Sequence, residues 1–192
     1  MYIRIEDVKE TERRLGSPVA VEMAFEIEPY EYDVVEGSMK GGRAHDVTMF
    51  IRDNDDRGLI AVIRKPFFPP GAFRAPSGAA NRGETLEQGA LRESLEETGL
   101  EVELTCYLAR ISARFTSGDK PDIDWTSHVF DARERAGEIG PIDTGEIAEA
   151  RWTDIEELQG RIRQALLDAN WGLFRYRVAL TDLSVERMGR GT

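Results

Sequence analysis

Residues 85–99, "TLEQGALRESLEETG", hold everything a chain needs to start, carry and stop one helix. Thr85 followed by Gln88 makes a capping box, in which the hydroxyl serves a first-turn N–H that has no intrahelical partner. Leu86, Ala90, Leu91 and Leu95 form an apolar stripe, and Gly99 is placed to end the helix. The surrounding sequence reads mostly as strand. "DVTMFIRDNDDRGLIAVIRK" (46–65) is two β-rich runs across an Asn/Asp/Gly cluster, the pattern of a hairpin. "EVELTCYLARISAR" (101–114), "TSHVFDAR" (126–133) and "IAEARWTD" (147–154) are further strand candidates, and 17–36 alternates over short runs that also read as strands. Residues 66–83 carry Pro66, Pro69, Pro70, Gly71, Pro76 and Gly78, which predicts a loop with one short strand at most. A helix is expected over 154–169, where Ile155, Leu158, Ile162, Leu166 and Leu167 share a face, and the tail from Trp171 offers another. A central helix among strands, closed by a terminal helix, predicts an α/β chain with a mixed sheet between helices.

The central helix sets a physical problem. Glu93, Glu96 and Glu97 stand at i, i+3 and i+4, so their carboxylates crowd one face. Like charges at these spacings cost a helix roughly 0.2–0.5 kcal/mol per pair. Carboxylate oxygens are hard ligands suited to Mg²⁺ or Mn²⁺, and three on one face suit a shared ion or more than one. In a site of several metals, the cations can activate a water and stabilise a leaving phosphate oxygen. The alternative is a solvated acidic face, and the glutamates alone do not decide between the two.

Their neighbours supply the missing information. The stretch "GAANRGETLEQGALRESLEETGL" (78–100) resembles the signature of the Nudix hydrolases, Gly-x5-Glu-x7-Arg-Glu-U-x-Glu-Glu-x-Gly-U, where U is a bulky apolar residue. Gly78, Glu84, Arg92, Glu93, Glu96, Glu97, Gly99 and Leu100 all stand at its defined positions. Ser94 departs from the pattern, at a position where the family usually has an apolar residue facing the core. A small packing difference is expected there.

The resemblance implies a Nudix-type α/β/α sandwich over residues 46–160. Residues 1–45 would be a strand-rich N-terminal extension and 161–192 a C-terminal helical segment, all within one domain. It implies that Glu93, Glu96 and Glu97 bind Mg²⁺ or Mn²⁺, joined by the backbone carbonyl of Ser77. Arg92 would pair with a signature glutamate and orient it, and Glu84 would support the site beside Gly78. A further loop carboxylate often assists catalysis in the family. Asp143, Glu146 and Glu149 are the candidates, and Glu146 is favoured because it precedes the last expected strand. The implied reaction is attack of an activated water on phosphorus in a diphosphate linkage.

Substrate-reading residues are harder to find. "IRKPFFPPGAFRAPSG" offers Arg64, Lys65 and Arg74 for phosphate and Phe67, Phe68 and Phe73 for stacking. "RFTSGDKPDIDWTSHVF" reads as a longish polar loop in which Trp125 could stack on a base. His128 and His45 read as structural histidines, and Cys106 as buried packing. The first 45 residues bear a loose resemblance to the extension of ADP-ribose and nucleotide-sugar pyrophosphatases, which often builds a homodimer. The proline and glutamate pattern that follows the signature in those enzymes is missing here. The substrate class therefore stays open between a nucleoside diphosphate linked to another group and a nucleoside triphosphate or dinucleoside polyphosphate. A non-catalytic nucleotide-binding module is the alternative of another class, though it usually has a degraded signature. Isopentenyl diphosphate isomerisation needs metal-binding histidines beyond the two present.

Charge bounds the partners. With 25 basic and 36 acidic residues, the net charge of −11 argues against nucleic-acid binding, while a bound cation would still admit a small anionic nucleotide. One cysteine gives no internal disulfide and suits a reducing cytosol. The N-terminus is charged from Arg4 onward without an apolar core, and no membrane-length apolar run follows. A cytoplasmic location without membrane partners is expected.

Overall fold

The strand over His45–Arg52 is buried along almost its whole length, which requires cover on both faces of its sheet. A computed structural model, which describes residues 2–55 and 57–189, supplies that cover. In chain order the elements are α1 (Ile5–Leu15), β1 (Val19–Glu26), α2 (Pro29–Ser38), β2 (His45–Arg52), β3 (Leu59–Arg64), β4 (Ser77–Gly78) and α3 (Leu86–Thr98). There follow β5 (Leu100–Thr116), β6 (Ile123–Gly137), β7 (Glu149–Asp154) and α4 (Ile155–Glu157). A wide turn (Leu158–Ile162) joins α4 to α5 (Arg163–Asp168), and α6 (Gly172–Gly189) ends the described chain.

Among the described residues the sheet runs β1-β5-β6-β2-β3-β7, with β4 beside β2. β1 lies parallel to β5 and β2 parallel to β6, and the other pairings are antiparallel. The sheet is mixed, as the sequence predicts. Along β2 the pleat sends Val47, Met49 and Ile51 into one apolar cluster with Leu86 and Ala90 of α3. Phe50 enters the other, with Leu158, Ile162, Leu166 and Phe174. One sheet face therefore carries α3, with Val8 and Leu15 of α1 beside it, and the opposite face carries the C-terminal helices. Fully burying each such side chain contributes roughly 1.5–3 kcal/mol.

The hairpin of 46–65 forms as β2 and β3, with Arg52 opposite Ile60. Its turn includes Asp56, and the expected C-terminal segment ends on 190–192; these residues lie outside those described.

Other expectations are corrected. Only 19–26 of the alternating run 17–36 is a strand, with every second residue exposed. The second half is helical, because Pro29 opens α2 with its fixed φ and Glu28 and Glu31 close a capping box. With α1 before it, the extension holds one strand between two helices. The expected polar loop around Trp125 is also shorter. β5 runs to Thr116 and β6 starts at Ile123, with Phe115 opposite Ile123, so Trp125 and His128 are strand residues. No helix among the described residues is long and apolar enough to cross a membrane.

Candidate active site

Both ends of α3 are fixed by local chemistry, and this aims its carboxylates. Gln88 N–H donates to Thr85 Oγ1 at 3.2 Å while Thr85 N–H donates to Gln88 Oε1 at 2.9 Å. Gly99 ends the helix at φ +71°, and its N–H donates to Leu95 O at 2.8 Å. A Cβ at position 99 would stand 2.6 Å from Gly140 O, so conformation and space both require glycine.

Glu93 and Glu97 point inward, toward the strand ahead of the helix. The Glu93 carboxylate lies against the backbone of Gly78, where an added Cβ would meet its Cδ at 2.0 Å. Ala79 N–H donates to Glu93 Oε1 at 3.1 Å. Glu97 is buried, and Ser77 N–H donates to its Oε2 at 2.7 Å. Arg74, also buried, donates to Glu97 Oε1 at 3.3 Å and to Ser77 Oγ at 2.8 Å. Burial pushes the Glu93 and Glu97 carboxyls above the usual range, outweighing the nearby arginines. Burial likewise works against the charge on Arg74.

Arg92 gathers the remaining acids. Its Nε and Nη2 donate to the two oxygens of Glu84, each at 2.9 Å, and its Nη1 donates to Glu93 Oε1 and Glu96 Oε2, each at 2.8 Å. Nη2 also reaches Ala79 O at 2.6 Å, tying the helix to the loop. This forked bonding holds the Glu84 carboxyl below the usual range. The repulsion anticipated on this face is thus relieved by a cation of the same helix. Ser94, the departure from the signature, is buried and donates to Ala90 O, one turn back.

The donors suit a hard divalent ion in chemical type. All are oxygens, two of the carboxylates are desolvated, and the glycine at 78 leaves room where a side chain would fill the cradle. Among the described residues, no three His, Cys, Asp or Glu side chains converge on one ion position as they stand. Arg92 instead engages Glu93 and Glu96, and Arg74 engages Glu97.

A cavity of about 810 Å³ opens beside Gly78, Ala79 and Glu93. Of the loop carboxylates only Glu146 lines it, in an ion pair with Lys65, which lines it too. Asp143 accepts the N–H groups of Gly145 and Glu146, both at 3.1 Å, and so shapes its own loop. Glu149 lies opposite Arg64 in the β3–β7 pairing and takes its guanidinium at 3.4 Å. That pair is absent from the cavity wall, whereas Arg74 and Trp125 belong to it. Trp125 is buried, and its Nε1 donates to Asp46 Oδ1 at 3.2 Å. Phe73 is also buried, beneath the Arg151 guanidinium.

The sequence reading missed the polar floor of this cavity. Asp46 receives Arg177 Nη2 at 2.9 Å and the Ser127 hydroxyl, and Ser127 also pairs with the Tyr176 hydroxyl. The available signals were charges in apolar runs: Asp46, alone in "HDVTMFI", and Arg177, which shares "FRYRVAL" with Arg175. The aromatic wall from Trp171 and Phe174 was missed as well, because α6 carries apolar residues with little one-sided periodicity.

The NUDIX domain model matches residues 42–172. A "Putative mutator protein MutT4" of Mycobacterium tuberculosis is 38% identical over 132 residues, covering 69% of this chain and 48% of that protein. An "NAD-capped RNA hydrolase NudC" of Chromobacterium violaceum is 35% identical over 101 residues, covering 53% of this chain and 35% of that one. The chain thus spans about half or less of these relatives. Among solved structures, the NUDIX domain of Shewanella oneidensis NrtR, complexed with ADP ribose, superimposes with a TM-score of 0.51 at 16% identity. That match covers 76% of this chain and 88% of the other, and concerns the fold alone.

Proposed function

This chain belongs to the NUDIX domain family, and from that premise we propose that it hydrolyses a diphosphate linkage in a nucleotide-type substrate, using Mg²⁺ or Mn²⁺. The observation that carries this reading is the cradle of Gly78, Glu93 and Glu97. Desolvated carboxylates face a backbone kept bare by glycine, at the edge of a cavity large enough for a nucleotide.

Glu93, Glu96 and Glu97 would hold the metal, with the Ser77 carbonyl as a further oxygen donor. The ion would supply positive charge to a leaving phosphate oxygen and lower the pKa of a water. Arg92 orients Glu93 and Glu96 from below and is itself fixed by Glu84. Arg74 holds Glu97 in place through a buried ion pair, a positioning task in place of the phosphate contact expected from sequence. Glu146 stands at the cavity with its carboxylate half exposed and is the candidate to accept a proton from water. In this reading the loop before α3 and α3 itself carry the cleaving groups, while α2 and the start of α6 line the cavity on the far side.

Within this class we favour a nucleoside diphosphate linked to another group, ADP-ribose among the candidates. The name of the NudC relative, an NAD-capped RNA hydrolase, supports that choice. The test is a panel of ADP-ribose, nucleotide sugars, dinucleoside polyphosphates and nucleoside triphosphates with Mg²⁺ or Mn²⁺, products being resolved by chromatography. A nucleoside monophosphate released from the linked diphosphates supports the reading. Preferential cleavage of triphosphates to monophosphate and pyrophosphate would move the chain to the other substrate class. Glu97→Gln should lower the rate by roughly 10²–10⁴-fold with the circular dichroism spectrum retained. Near-normal turnover by that variant would remove Glu97 from the chemistry.

A further inference from the structure

The loop between β4 and α3 contributes more to the cradle than Gly78. Ala79 spends both of its backbone groups there. Its N–H donates to Glu93 Oε1 at 3.1 Å, and its carbonyl accepts Arg92 Nη2 at 2.6 Å. A shift of this one residue would therefore move a carboxylate of the cradle together with the arginine that orients it. Strand pairing stops short of it. β4 is two residues long, and its ladder with β2 ends at Gly78, opposite Val47.

What holds the loop lies one step further along the same register, where Asp46 would face Ala79 and His45 would face Ala80. Ala80 is fully buried, so its carbonyl needs a donor. The His45 side chain supplies one, with Nε2 at 3.2 Å from Ala80 O. A carbonyl can only accept, so the proton of the neutral imidazole belongs on Nε2. Burial favours that neutral form by lowering the His45 pKa. The ring is buried at the start of β2, with the Tyr2 ring at 5.1 Å and the His128 ring at 6.3 Å between centroids. From the other side Ala80 presses on α3, where a Cβ at Gly89 would stand 2.6 Å from its Cα. Strand and helix thus grip the loop between them, and on the strand side a side chain continues what the ladder leaves off.

We propose that His45 is a positioning residue for the cradle. Its Nε2–H fixes Ala80, and through Ala79 it sets Glu93 and Arg92 in place for a divalent ion. His45 is absent from the cavity wall and acts only through the loop. The inference rests on the metal-dependent hydrolase reading, but ion binding and the tautomer are both measurable without cleavage.

Two substitutions separate the hydrogen bond from the packing. His45→Phe keeps a ring between Tyr2 and His128 and removes the donor, while His45→Gln removes the ring and keeps an N–H. Mn²⁺ affinity of the full chain is read from the electron paramagnetic resonance signal of the free ion. It should fall about tenfold or more in His45→Phe and return to within about threefold of wild type in His45→Gln. On whichever diphosphate the wild type cleaves, kcat should fall in the same order with KM for the substrate little changed. His45→Phe binding Mn²⁺ as the wild type does, or His45→Gln binding it no better than His45→Phe, would overturn the proposal. A third measurement needs no variant. The imidazole ¹⁵N spectrum of the wild type above neutral pH should show His45 as the Nε2–H tautomer, and the Nδ1–H tautomer would overturn the proposal. If the Mn²⁺ order holds in a chain that cleaves no diphosphate, the positioning role stands and the hydrolase reading falls. Cleavage with Mn²⁺ affinity unchanged in His45→Phe would do the reverse, and a wild type that binds no Mn²⁺ would overturn both.

Discussion

Arg64 and Arg74 show how far one residue can be read from its letter. Both are arginines flanking a Pro-rich loop, and sequence offers both as phosphate ligands. Their fates are set by carboxylates far along the chain: Glu149 takes Arg64 on the β3–β7 pairing, and Glu97 takes Arg74 in the interior. Chain-local patterns carry no record of such pairings. By contrast, the meeting of Gly78, Arg92 and Glu93 was legible, because fixed spacing along one loop and one helix brings them together. The Arg74–Glu97 pair makes a sharp prediction, since both side chains are almost wholly buried. Arg74→Met leaves Glu97 charged and unpaired, which should cost about 3–5 kcal/mol of stability in urea unfolding. A loss below about 1 kcal/mol would mean that Glu97 does not depend on Arg74.

Elements were legible where their signals are local. α3 begins and ends where its capping box and Gly99 place it, and the β2–β3 hairpin follows its turn residues. In α2, "EYDVVE" alternates and is rich in valine and tyrosine, which favours a strand, yet the Pro29 start and the Glu28–Glu31 box outweigh that tendency. A tertiary contact adds to them. Glu31 reaches from α2 to the first N–H groups of α6, donated by Gly172 and Leu173 at 3.0 and 2.8 Å. These N–H groups have no partner within their own helix, so the carboxylate serves as a cap from another element. Gly172 permits the approach, since a Cβ there would stand 2.2 Å from Glu26 O. Glu31→Ala should therefore lower stability by about 1–2 kcal/mol and speed hydrogen exchange at the start of α6. Unchanged exchange at Gly172 and Leu173 would contradict the clamp.

At the scale of the molecule, an α/β chain with a mixed sheet was readable from the order of strands and helices, while the pairing of β1 with β5 was not. That pairing joins residues about ninety apart, such as Val19 and Ala109, and nothing local encodes it. The closed interior also has a pH signature. His128 lies buried against the Tyr107 hydroxyl, and burial, aided by His45, pushes its imidazole down to about 3. An unfolded histidine titrates near about 6.5. Between those values the unfolded chain binds a proton that the folded chain refuses. This contribution to stability is full above pH ~6.5 and falls as the pH drops, by up to about 1.4 kcal/mol per pH unit. His128→Asn should flatten the decline in unfolding free energy between about pH 6.5 and 5, and an identical slope in both proteins would contradict it.

The claim on which the rest depends is hydrolysis at a diphosphate by water activated beside the Gly78–Glu93–Glu97 cradle. The most direct test is cleavage of ADP-ribose with Mg²⁺ or Mn²⁺ in ¹⁸O-labelled water, with the products weighed by mass spectrometry. The account predicts AMP and ribose 5-phosphate carrying one ¹⁸O between them per bond cut, and no reaction in EDTA. No cleavage of ADP-ribose or of any other compound of the panel, products without label, or cleavage that proceeds unchanged in EDTA would contradict it.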